Sequence, residues 1–117
     1  MRFFRIQGSH IKELKFDGVF FNSGSITDTK IDDLSSARSN FIGAVIKASK
    51  FRKFSFAFNQ FGAAKISNVV FEDGTFHDSL FNDAMITDSV FRRVALPKSI
   101  LKEAQLINVQ FIDVQWL

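Results

Sequence analysis

Apolar side chains recur at every fifth position of this chain. From Ile6 the series passes through Ile11, Phe16, Phe21, Ile26 and Ile31 and ends at Leu106, Phe111 and Trp116; of its 23 positions only Ser36 is not large and apolar. The position two residues earlier is also restricted. It reads Leu14, Val19, Gly24, Thr29 and Leu34, then Ser39, Ala44, Ser49, Phe54 and onward, and it is never charged. All 27 charged residues occupy the other three positions. An unpaired buried charge is costly, so two positions of every five point inward and three outward. Neither a helix, with its period of 3.6, nor a flat strand, with its period of 2, produces this pattern. It predicts short extended segments joined by corners, repeated along the whole chain.

Stretches such as Ala84-Met85-Ile86-Thr87-Asp88 and Ser79-Leu80-Phe81-Asn82-Asp83 resemble the pentapeptide-repeat family. Its consensus is a small residue, a polar one, a central Leu or Phe, and two polar ones. The resemblance runs from about Phe4 to Trp116 and implies an all-β fold, a right-handed quadrilateral β-helix in which each repeat forms one side of a square coil. Residues 1–117 then form a single domain of about six coils with no inserted loop. A second period agrees with the square. Ile6, Ile26, Ile46, Ile66, Ile86 and Leu106 lie 20 apart and form a column without Phe, whereas the other three central columns are mostly aromatic. A narrow core has a fixed volume per layer, so the mixture reads as volume balancing, and Gly74 beside Phe54 reads the same way. Ser36 is a substitution in register. Pro97 is expected at an outward corner, where a missing N–H is tolerated. At about 4.8 Å per coil the rod would stand roughly 28 Å tall.

Composition narrows the class. A chain of 117 residues can bury its own core. It has no cysteine, so neither a disulfide framework nor a thiolate metal site is available, which fits a cytoplasmic location. The start lacks an apolar stretch suited to a signal peptide, and no run approaches the roughly 20 residues that span a bilayer, so no membrane contact is expected. The sixteen Phe are assigned to the core by their spacing.

No catalytic constellation is apparent, and an enzyme, a cofactor and a metal are not expected. Asp73, Asp78, Asp83 and Asp88 are five apart, which puts them on four different sides with diverging carboxylates; a turn role in which Asp bonds the local backbone is expected instead. His10 and His77 are outward, on different sides and about three coils apart. Lys12, Asp32, Arg52, Glu72 and Arg92 form one outward column, and Glu13, Asp33, Lys53, Asp73, Arg93 and Asp113 the next. From the second coil upward their signs alternate, which predicts a ladder of surface ion pairs with Arg52 between Asp32 and Glu72. The alternation cancels the field a polyanion would need. Nucleic acid is therefore not the expected partner despite a net charge of +3, and Lys47, Lys50, Arg52 and Lys53 form only a weaker candidate basic patch.

Outward positions become apolar toward the C-terminus: Val70, Leu80, Met85, Val90, Ile100, Ile107, Ile112 and Leu117, with Trp116 in the core register of the last coil. Solvated positions that turn apolar together mark a candidate interface. The last coil also ends in unpaired N–H and C=O groups, an edge that recruits another chain. A protein partner is expected, most simply a second copy joined through the C-terminal coil. The reading is a non-enzymatic binding protein that regulates or inhibits a macromolecular partner through the β-helix surface; a structural or scaffold module is the alternative. The family resemblance implies a further one. Its best-known members resemble DNA in shape and charge and bind type II topoisomerases such as gyrase, as dimers joined at their C-terminal ends. This chain is basic, has no inserted loop and shows no C-terminal helix.

Overall fold

The computed structural model describes residues 4–117. Its strands are β1 (Arg5–Gln7), β2 (His10–Ile11), β3 (Leu14–Asp17), β4 (Ser25–Thr27), β5 (Lys30–Ala37) and β6 (Val45–Ala57), then β7 (Lys65–His77), β8 (Met85–Thr87), β9 (Val90–Leu96), β10 (Gln105–Ile107), β11 (Gln110–Ile112) and β12 (Gln115–Trp116). They pair in parallel with the residue 20 further along. Ile6 meets Ile26, Ile26 meets Ile46, Ile46 meets Ile66, Ile66 meets Ile86 and Ile86 meets Leu106. This is the expected right-handed four-sided β-helix, with principal extents of 36 × 27 × 25 Å. We number its sides by their central residues: Ile46 and Ile66 lie on the first, Phe51 and Phe71 on the second, Phe56 and Phe76 on the third, and Phe61 and Phe81 on the fourth.

The corners have one backbone cause. Every described residue with a left-handed φ, from Gly8 through Asp28, Lys53 and Asp73 to Asp113, stands two positions after a central residue. A single left-handed residue turns the chain through the corner and ends most sides, Glu13 and Glu103 standing at that position without it. Gly, Asn and Asp adopt it at least cost, which accounts for Asp73, Asp78, Asp83 and Asp88 at this position. The turn role holds, but its mechanism differs from the expected one: among the described hydrogen bonds no Asp carboxylate takes a nearby backbone N–H, and backbone conformation is the reason for the residue type. Phe58 pays the steric cost openly, with φ 58° and its ring exposed.

Inside, the rings stack in columns. Phe41 lies 4.9 Å from Phe61 and Phe61 4.7 Å from Phe81, with interplanar angles of 7° and 5°. Phe71 and Phe91 stack at 4.9 Å, and Phe56 and Phe76 at 5.1 Å. Neighbouring columns meet edge to face, as Phe56 meets Phe61 at 90°. Both geometries suit the aromatic quadrupole. A Cβ on Gly74 would come within 2.4 Å of the Phe54 ring, so the volume compensation between these two residues is physical.

The second inward row is polar on two opposite sides. On the second side, Ser49 Oγ donates to Lys47 O and accepts from Thr29 N, one coil below. On the fourth, Ser39 Oγ donates to Ala37 O and accepts from Val19 N. These hydroxyls satisfy backbone groups that the bend takes out of the ladder. Ser36 belongs to the same device. Its hydroxyl donates to Asn59 Oδ1 at 3.2 Å, and Asn59 Nδ2 donates to Ser36 O at 2.8 Å, so a paired polar group replaces a ring.

Pro97 lies just past the end of β9, where a missing ladder N–H is tolerated, and a 3₁₀ helix that the repeat pattern does not predict, Lys98–Leu101, follows it. The 20-residue register survives, since Trp116 still pairs with Leu96.

Candidate interaction surfaces

The second side is densely charged. Glu72 is buried at 8% exposure, with Lys50 Nζ 3.1 Å from its Oε2 and Arg93 donating to its Oε1. Arg93 Nε also donates to Asp73 Oδ1 at 2.6 Å. The Lys50 contact, then Arg93, holds the Glu72 carboxyl below its ordinary range against the opposing effect of burial, and Arg93 does the same for Asp73. The two acids in turn raise the Arg93 guanidinium. His10 Nε2 lies 3.1 Å from Asp32 Oδ2 and lowers that carboxyl.

The expected ladder through Arg52 is therefore corrected. Arg52 forms no ion pair with Asp32 or Glu72, and its Nε is buried without a hydrogen-bond partner. Among the described residues most pairs run diagonally: His10 to Asp32, Lys50 to Glu72, Arg38 to Asp17 and Arg93 to Glu72 are 21 or 22 residues apart, and only Arg93 to Asp73 is stacked straight. Straight stacking roots two side chains about 4.8 Å apart and nearly parallel, whereas a diagonal lets a long cation lean its head onto the acid. Of the candidate basic patch, Lys50, Arg52 and Lys53 stand on this side, with Lys50 committed to Glu72, and exposed Lys47 stands on the first side around the Ala48 corner.

The apolar candidates ring the rod instead of forming one patch. Val70 and Val90 pair on the second side, both half-buried. Leu80, 54% exposed, lies on the fourth and Met85, 41% exposed, on the first. Half-buried Ile100 lies within the 3₁₀ helix. Ile107, Ile112, Trp116 and Leu117 share the last coil, where β10, β11 and β12 pair only with the coil beneath. There Ile107 and Leu117 are each 57% exposed and Trp116 45%, and Leu106 is exposed too despite its core register, because no coil covers it in this chain.

The repeat reading missed a surface on the fourth side. Phe20 and Ile42 are exposed there beside Leu80, and Phe58 stands exposed at its corner. Phe20, Asn40, Gln60 and Leu80 are stacked by successive parallel bridges. Beside them run Asn22, Ile42, Gly62 and Asn82, and neither column holds a charge through these four coils. Reading down columns of 20, instead of along the repeat, reveals it. Among the described residues no His, Asp and Glu group is placed to hold a metal, and no helix is long and apolar enough to cross a membrane.

Residues 45–117 match the family described as the SV2A/B/C luminal domain. No curated protein sequence matches the chain. Among solved structures, a trypsin-treated variant of QnrB1, a plasmid-mediated fluoroquinolone resistance protein, aligns with a TM-score of 0.69 at 17% identity, over 86% of this chain and 49% of its own. The chain thus spans about half the length of that protein. A pentapeptide repeat protein, Rfr23, from the cyanobacterium Cyanothece 51142 gives a TM-score of 0.62 at 9% identity, over 97% of this chain and 91% of its own. At these identities the two likenesses establish the fold alone.

Proposed function

We propose, because the chain belongs to the family of the SV2A/B/C luminal domain and is built as a pentapeptide-repeat β-helix, that it is a non-enzymatic binding protein. It regulates or inhibits a macromolecular partner through its β-helix surface, with the C-terminal coil as a protein contact, in the simplest case with a second copy. The observation that carries this reading is the last coil, where Leu106, Ile107, Trp116 and Leu117 are exposed along an unpaired strand edge. Such an edge offers backbone donors and acceptors together with apolar surface. The DNA-mimic alternative asks for an acidic rod, and this chain carries +3. We place the protein in the cytoplasm on its lack of cysteine; the family's name describes a luminal domain, so recovery from a lumen on cell fractionation would overturn that part.

Light scattering over a range of concentrations tests the end contact. The 117-residue chain should associate at high micromolar concentration. Trp116→Glu and Ile112→Glu should weaken that association with the circular dichroism spectrum unchanged. A wild-type chain that stays monomeric, or association indifferent to both changes, would refute it.

A further inference from the structure

We infer that the uncharged fourth side is a second contact surface, and that its occupant is another copy of this chain packed side by side with its rod axis reversed. The inference goes beyond the end contact and rests on different residues.

Exposure of Phe20, Ile42, Phe58 and Leu80 says only that the side is apolar. The order of residues along the stack identifies the occupant. The regular part of this side is four coils tall, from Phe20 to Leu80, and the 3₁₀ helix at Lys98–Leu101 interrupts it in the fifth. A two-fold axis along the strand direction, between the coils of Asn40 and Gln60, sets the first coil against the partner's fourth and the second against its third. Phe20 then faces Leu80 of the partner subunit, Asn40 faces Gln60 of the partner subunit, and Asn22 faces Asn82 of the partner subunit. Ile42 faces Gly62 of the partner subunit, a knob over a residue without a side chain. At the corners Ser23 meets the partner's Asp83, and Arg38, whose guanidinium is paired with Asp17 of its own chain, stands opposite the partner's Phe58. The other face-to-face axis, parallel to the rod, sets Leu80 against Asn82 of the partner subunit and Asn40 against Ile42 of the partner subunit, which strands amides on apolar groups. Isologous packing needs self-complementarity, and only the first axis supplies it.

Gly62 adds an independent reason. Its φ is not left-handed, and an added Cβ would meet only Asn82 atoms at 3.5–3.7 Å, ordinary contact. No close contact within the fold excludes a side chain there, and a glycine leaves room for a knob from outside. The side is small: four coils at about 4.8 Å, each side five residues of at most ~3.5 Å, cover roughly 330 Å² per partner, the size of a weak, reversible contact, so association is expected only at high concentration.

The chain has no cysteine, which makes a crosslink decisive. Phe20 and Leu80 are three coils apart within one chain, too far for an internal disulfide, but they oppose each other across the proposed axis. The double variant Phe20→Cys/Leu80→Cys should form a covalent dimer under mild oxidation at high micromolar concentration, while either single variant should form little. Gly62→Leu should abolish that crosslink in the double variant with an unchanged melting temperature. The crosslink should persist when Trp116→Glu is added, which separates this surface from the end contact. A double variant that stays monomeric, or single variants that crosslink equally well, would overturn the inference.

Discussion

The second and fourth sides of the rod stand opposite each other and share one interior. Each is lined by a column of stacked Phe, and each carries inward hydroxyls that bridge one coil to the next. Outside they diverge completely. The second packs Lys50, Arg52, Glu72, Asp73, Arg92 and Arg93 into a charged mesh; the fourth shows amides, a glycine and apolar side chains. The backbones differ too: the second side is strand, whereas the fourth joins isolated bridges to hydrogen-bonded turns such as Phe41 to Ala44, yet both leave their outward side chains free of the core. Burial sets two residues in five, and the other three are left to solubility and contact.

That claim can be broken first in the interior, where the effect is largest. Phe71→Ala on the charged side and Phe61→Ala on the neutral side should each cost about 3–5 kcal/mol, the usual penalty for emptying a buried aromatic site. Urea melts would measure both. A small loss on one side alone would mean that the two interiors are not equivalent.

The hydroxyl bridges come next. Ser49→Ala leaves Thr29 N without its partner at 3.2 Å and removes one of the two donors to Lys47 O, the one at 2.9 Å, leaving Asp28 N. On the fourth side Ser79 is held less closely, at 3.4 Å from Asn59 N and 3.3 Å from His77 O. Both substitutions should destabilise by about 1–3 kcal/mol, with Ser49 the costlier. The reverse order in thermal melts would contradict the geometry.

The charged mesh should matter less, and in a pH-dependent way. Glu72, Asp73 and Asp32 all have carboxyls held below their ordinary ranges, so the unfolded chain binds their protons first on acidification. Their contribution is present above the ordinary carboxylate range, near pH ~4, and is lost as pH falls through the lower folded values. Glu72→Gln should cost about 1 kcal/mol at neutral pH and flatten the acid limb of stability against pH. Gln60→Glu, on the neutral side, should leave that limb unchanged. An acid limb indifferent to Glu72→Gln would show that the mesh adds nothing to the fold.

The inward rows were legible in the sequence because burial excludes charge at Ile66 or Ala64 whatever the neighbours do. The corner aspartates were legible as turns, though the reason, a left-handed φ at Asp73 and Asp88, lies in the backbone and not in a side-chain hydrogen bond. Ser36 could be placed but not explained, since its partner Asn59 sits 23 residues away in the next coil. Apolar surface was read along the repeat, which gathers Met85 and Val90 although they belong to different sides, and misses Phe20 with Leu80, which share one. Contacts between coils depend on how side chains lean, and spacing alone does not encode that.

Arg52 shows the limit most clearly and supports the smallest prediction. Its column alternates in sign, yet both acidic neighbours are taken, Asp32 by His10 and Glu72 by Lys50 and Arg93. Its Nε is buried without a partner, so the desolvation of that group is uncompensated. Arg52 lines a shallow hollow together with Lys12, Asp32, Asp33 and Lys53, and a long side chain of this kind can cover surface with its aliphatic stem. Arg52→Met keeps the stem and removes the unpaired N–H, and it should change stability by less than about 0.5 kcal/mol in either direction. Arg93→Met removes the contacts to Glu72 and Asp73 and should lower the melting temperature, less in high salt, where surface charges are screened. Melts of the two variants at low and high salt would decide between the stacked and diagonal arrangements. A salt-sensitive loss at Arg52, equal to or larger than the loss at Arg93, would restore the straight ladder; a loss confined to Arg93 would leave the diagonal mesh as the arrangement that holds the charged side together.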